Sequence, residues 1–172
     1  AEQWGYRAEG TNPCTGLRMN KRRKLERYLS ADELARLGVA LRSAMSADLQ
    51  RATVILLLLL TGCRRSEILD LKWSEVKGQR LLLADSKTGP KTVWIGRQAK
   101  EALAALPRSR GCDQVFWNEA LGQPIRGVQD FWVKLRTSAN LRSLRLHDLR
   151  HSFASHAAAR SETLPMIGKL LG

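Results

Sequence analysis

Residues 146–156 read L-H-D-L-R-H-S-F-A-S-H. At about 100° per residue this spacing predicts a helix with His147, Arg150 and His151 on one face, where neighbours at i+3 and i+4 stand about 5–6 Å apart at Cβ. Leu149, Phe153 and Ala157 fall on the other face and can bury it. The guanidinium stays charged at every accessible pH, and one turn away is an imidazole that titrates near neutrality. Together they suit a phosphate that must be held while a proton moves. A solvated basic helix face has the same pattern; His151 and His156, which lie in the same helix, are read as satisfied structural histidines. The choice between the two readings therefore rests on residues 61–73.

Those residues begin T-G-C-R-R-S-E-I. The preceding helix, over 47–60, turns apolar all round at 54–60, as a helix enclosed by others does, and Gly62 is placed to end it. Arg64 thus has its backbone anchored to the core while its side chain can reach a surface groove, and a catalytic clamp needs such a rigid mount. Glu67, at i+3, can hold the guanidinium, although an ordinary surface ion pair has the same spacing. On spacing alone Arg65 is an equal candidate for the groove.

Working outward, residues 1–27 read as a basic interdomain linker, with Gly5, Gly10, Pro13 and Gly16 followed by Arg18, Lys21, Arg22, Arg23, Lys24 and Arg27. Such a run is either a solvated lead-in or a strap along DNA phosphates. Ser30 and Glu33 form a capping box ahead of Leu34, Leu37, Leu41 and Met45 at helical spacing. Residues 66–73 read as a short helix. Residues 80–85 and 92–95 are strand-like and flank S-K-T-G-P-K, a turn that puts Lys87 and Lys91 at the shoulders of a hairpin. An alanine-rich helix over 97–106 stops at Pro107, residues 115–117 are extended, and Val128, Phe131, Trp132 and Leu135 mark a further helix. Residues 136–145, ending in Arg145, are a basic connection, and Thr163 caps a last short helix. Trp73, Trp94 and Trp132 sit on apolar faces and are read as core. The fold class is mainly α (α+β), with one small antiparallel sheet or hairpin.

Composition narrows the partner. The chain has 172 residues, 44% of them apolar, enough for one domain with its own core. A formal charge of +13 and a pI near 10.5 favour a polyanion, nucleic acid before an anionic membrane surface. The longest apolar run falls far short of the about 20 residues of a membrane span. Cys14, Cys63 and Cys112 form no C-x-x-C pair, which argues against a zinc site or disulfide framework and for a reduced, cytoplasmic setting.

Four blocks in order, T-G-C-R-R-S-E-I-L-D-L-K-W, S-K-T-G-P-K-T-V-W-I, L-H-D-L-R-H-S-F-A-S-H and I-G-K-L-L-G, resemble the catalytic domain of tyrosine recombinases of the phage-integrase type. With N-P-C near Asn12, the chain is most similar to integrases of bacterial prophages and genomic islands. The resemblance spans residues 28–172. It implies site-specific DNA strand cleavage and rejoining through a 3′-phosphotyrosyl intermediate, without metal, ATP or other cofactor, by a protein that assembles as a tetramer on double-stranded attachment-site DNA. Arg64 and Arg150 match the two clamp arginines, Lys87 the hairpin lysine and His147 the histidine of H-x-x-R. Lys91 is a weaker rival to Lys87 as general acid, and Lys91 and Arg145 join Arg18, Lys21, Arg22, Arg23 and Lys24 as expected DNA contacts. In relatives a second histidine and the tyrosine nucleophile follow L-L-G, and neither Tyr6 nor Tyr28 matches a family position. The expectation is a C-terminally incomplete catalytic domain that is inactive alone. A silent DNA-binding module of the same fold is the competing reading; a type IB topoisomerase fits the third block less well.

Overall fold

The computed structural model describes residues 2–17, 27–84 and 89–159. Among these residues, six α-helices lead from the capping box to the motif stretch. The first, α1 (Ala31–Ala47), opens as the sequence predicts: the Glu33 amide donates to Ser30 Oγ at 3.2 Å and the Ser30 amide to Glu33 Oε2 at 3.1 Å. It buries Leu37 and Leu41. Asp48 caps α2 (Leu49–Thr61) by accepting the Arg51 amide at 3.0 Å. Ala52, Val54, Ile55 and Leu57 are all fully buried, so α2 is the axis on which α1, α4 (Arg97–Ala104) and α6 (Asp148–Ala159) pack.

Gly62 ends α2 at φ 63°, with its amide donating to the Leu58 carbonyl at 3.1 Å. An L side chain is strained in this left-handed conformation, so Gly62→Ala should cost about 1–2 kcal/mol, read as a lower urea midpoint at unchanged slope. An unchanged midpoint would refute this account of the turn. α3 (Arg65–Leu69) is shorter than the sequence spacing implies. Its apolar pattern runs on through Leu71, but Trp73 already lies in a 3-10 turn, Trp73–Glu75.

The hairpin gains a third strand. β1 (Val76–Lys77), β2 (Arg80–Leu83) and β3 (Lys91–Trp94) form an antiparallel sheet in the order β1-β2-β3, with Leu81 opposite Val93. Leu81, Leu83, Val93 and Ile95 are buried under one face. Trp94 faces the other way, 60% exposed with the Arg80 guanidinium 5.3 Å from its ring, so the expectation that it is core is corrected. Its strand alternation, opposite to Val93, accounts for this. Trp132 is fully buried and Trp73 packs partly against the core. β4 (Trp117–Asn118) and β5 (Gln123–Pro124) pair as a second small hairpin before α5 (Gln129–Ser138), which packs on α1.

The motif helix starts later than its periodicity implies. Asp148, Leu149 and Arg150 donate backbone bonds three residues back, to Arg145, Leu146 and His147, so His147 sits in the tight turn that leads into α6. Ser152, buried on α6, accepts the Leu29 amide at 2.9 Å and donates to the Asp148 carbonyl at 2.8 Å, which ties the start of the domain to its last described helix. Among the described residues, no helix is long and apolar enough to cross a membrane. The hairpin tip with Lys87, the run Arg18–Lys24 and the helix expected after Thr163 lie outside the described residues.

Candidate active site

The site is built on the turn after α2. Thr61 Oγ1 donates to the Leu57 carbonyl at 2.6 Å and accepts the Cys63 amide at 3.2 Å, so one hydroxyl satisfies the helix end and pins the next residue. That arrangement leaves the Gly62 carbonyl to accept from Arg150 at 2.7 Å, across 88 residues of sequence. The second arginine of the expected clamp is therefore oriented by the turn that carries the first.

Arg64 stands at the N-terminus of α3. Its amide donates to Glu67 Oε2 at 2.8 Å and its guanidinium to Oε1 at 2.9 Å. Lys91 Nζ donates to the same Oε2 at 2.8 Å. The side chains of Glu67 and Lys91 are only 3% and 9% exposed, against 26% for Arg64. Glu67 thus joins α3 to β3 in a nearly dry site. Burial pushes its carboxyl up, but the bonds from Lys91 and from Arg64 outweigh this and hold it below the usual carboxylate range. The surface ion pair considered for Glu67 is thereby excluded, and Lys91 is turned inward onto a carboxylate.

Arg150 and His147 share a cleft of about 240 Å³ with Arg65, Gln129 and the buried Cys63. Burial, then the like charge of Arg64, lowers the Arg150 pKa, so the two guanidiniums lie within each other's field. Arg65 lines the cleft itself, while Arg64 is paired with Glu67 within the field of Arg150. His147 is exposed at the rim of the cleft. Partial desolvation lowers its pKa, as do the charges of His151 and Arg150, against the opposing pull of Asp148. It is held neutral to lower pH than a free histidine, as a proton acceptor must be.

Arg145 is engaged by Asp148: its amide donates to Oδ2 at 2.8 Å and its guanidinium to Oδ1 at 2.7 Å. Asp148 is fully buried and closes the turn on which His147 rides. His151 and His156 are exposed rather than buried structural residues. A larger apolar groove of about 910 Å³ between α1 and α5 contains none of the expected catalytic side chains. Two features escaped sequence reasoning. Gln129 carries no motif, and the Gly62 carbonyl was visible only as a helix stop.

Two arginines and a histidine gathered around one turn of a mainly helical domain form an arrangement able to hold a phosphate. The phage integrase family model matches residues 27–172, and the chain belongs to that family. It is 33% identical over 172 residues to the tyrosine recombinase XerC of Xylella fastidiosa, covering 94% of this chain and 57% of that one. To XerC of Chromohalobacter salexigens it is 30% identical over 158 residues, covering 87% and 53%. The chain thus spans little more than half the length of these relatives. Its fold is that of XerA recombinase (TM-score 0.72, 24% identity, 85% of this chain and 56% of that one). It is also that of Lambda integrase solved bound to DNA (TM-score 0.64, 21% identity, 88% and 57%).

Proposed function

We propose that this chain is the catalytic domain of a site-specific DNA recombinase, acting on double-stranded attachment-site DNA within a tetrameric synapse. The observation that supports this most directly is the convergence of Arg150 and His147 in one cleft, with Arg64 held on Glu67 beside it. A tyrosine hydroxyl attacks the scissile phosphorus and its proton passes to His147. The P–O5′ bond breaks, and Lys87 protonates the leaving 5′-oxygen, since an ammonium can lose its proton where a guanidinium cannot. Arg64 and Arg150 stabilise charge on the non-bridging oxygens with forked, permanent donors. A 3′-phosphotyrosyl link and a free 5′-hydroxyl remain, and the reverse steps rejoin a strand. Lys91, bonded to Glu67, serves by fixing that carboxylate. Tyr6 and Tyr28 are exposed at 85% and 62%, and the Leu29 amide next to Tyr28 is bonded to Ser152, about 200° around α6 from Arg150. Neither matches a family position, and neither is assigned as the nucleophile.

DNA binding by the chain should be weak and electrostatic, with Arg18, Lys21, Arg22, Arg23, Lys24 and Arg145 among the phosphate contacts. If about four to five phosphates are neutralised, affinity falls by about 10²-fold between roughly 50 and roughly 200 mM salt. Fluorescence anisotropy with a labelled duplex reads this directly; salt-insensitive binding would contradict it. With a nicked suicide substrate the chain alone should yield no denaturation-resistant adduct, and an adduct would mean that Tyr6 or Tyr28 had been wrongly set aside.

A further inference from the structure

His151 has no part in the chemistry above, yet its ring meets that of His147. The centroids are 5.0 Å apart and the planes cross at 88°, an edge-to-face contact in which the positive rim of one ring lies against the negative face of the other. His147 has no helical turn before it to fix its χ angles, because it precedes α6. The i+4 ring is the contact that can hold its plane. His151 is exposed, so packing does not account for its position.

We propose that His151 is a positioning residue for strand cleavage: its ring fixes the plane of the His147 imidazole and sets a second ionisable ring against the one that takes the proton. This rests on the recombinase reading of the cleft. Neighbouring imidazoles share one proton readily, since a cationic rim against a neutral face is favourable. They resist a second, because two like charges at this distance repel. The other charged groups facing His147 are Asp148 on α6, Arg145 in the preceding turn, Arg150 one turn on and Arg65 across the cleft. Asp148 opposes His151, and the arginines act with it but do not titrate.

Histidine NMR on the chain tests this, with resonances assigned by single substitutions. Titration midpoints of interacting rings belong to the pair, so variants are needed to separate them. In His151→Phe, which keeps a ring and removes the charge, the His147 midpoint should move up and its ring-current shift should persist. In His151→Lys the midpoint should move down and the ring-current shift should vanish, as it should in His151→Ala. A His147 midpoint unchanged in both His151→Phe and His151→Lys, or a ring-current shift retained in His151→Ala, overturns the proposal. Because His151 is exposed, these variants should fold, and their unfolding curves confirm it. The recombinase reading fails by a different result, an undiminished cleavage rate on loss of Arg150, so the two are separable.

Discussion

Glu67→Ala is expected to destabilise the fold by about 3–5 kcal/mol, because it leaves a nearly buried ammonium and a half-buried guanidinium without their carboxylate. At this size a domain loses roughly 2–4 °C of melting temperature per kcal/mol, so the melt should fall by about 6–20 °C. Glu67→Gln keeps the volume and one acceptor, and should cost less while still losing the ion pairs. Lys91→Met should cost least, since Glu67 then retains Arg64 and no buried charge is stranded. Combining Lys91→Met with Glu67→Gln should recover part of the loss, a coupling that a double-mutant cycle measures. If Glu67→Ala melts with the wild type, the site is wetter than its exposure indicates and the bridge is ornamental.

The pH dependence follows with a definite sign. The Glu67 carboxyl is held below its ordinary value in the folded state, and so is that of Asp148. Each therefore contributes stability that is fully present above the unfolded carboxylate pKa and is lost as pH falls through the lowered folded value. Glu67→Gln should flatten that acid limb in proportion to its share, leaving the part due to Asp148.

Much of this site was legible in the residues because its parts are local. A capping box is four residues long, a helix stop is one glycine, and the spacing of Arg64 to Glu67 is a single turn, so short-range rules place them. What escaped is what depends on distant partners. Lys91 reads as a hairpin shoulder, and only the packing of β3 beside α3 shows that it points inward at Glu67. Trp94 reads as core because its run is apolar, yet it stands one residue out of phase with the buried Val93 and Ile95, and the strand alternation exposes it. His147 reads as helical because the period-3.6 pattern includes it, while Asp148 capping the Arg145 amide begins the helix one residue later. The same late start frees the histidine from helical rotamer limits and leaves it to the neighbouring ring.

Arg150 tests whether the cleft is catalytic or merely basic. In a recombinase carrying this domain, Arg150→Ala should slow cleavage of a nicked suicide substrate by about 10²–10³-fold, or about 3–4 kcal/mol in the barrier, the usual worth of a preorganised donor to an oxyanion. DNA affinity should change far less, because one phosphate contact among several carries only a small part of counterion release. Arg150→Lys separates charge from geometry. It keeps the positive charge but replaces the fork, one arm of which is bound to the Gly62 carbonyl while others can face the phosphate. An ammonium cannot span both with the same rigidity, so Arg150→Lys should resemble alanine in cleavage and wild type in binding. The stability cost of either should stay near 1.5–3 kcal/mol, roughly that of one charged hydrogen bond to backbone, and well below that of Glu67→Ala. A cleavage rate that follows binding through all three proteins would mean that the cleft holds DNA without stabilising the transition state, and the domain would then be a basic module on a recombinase fold.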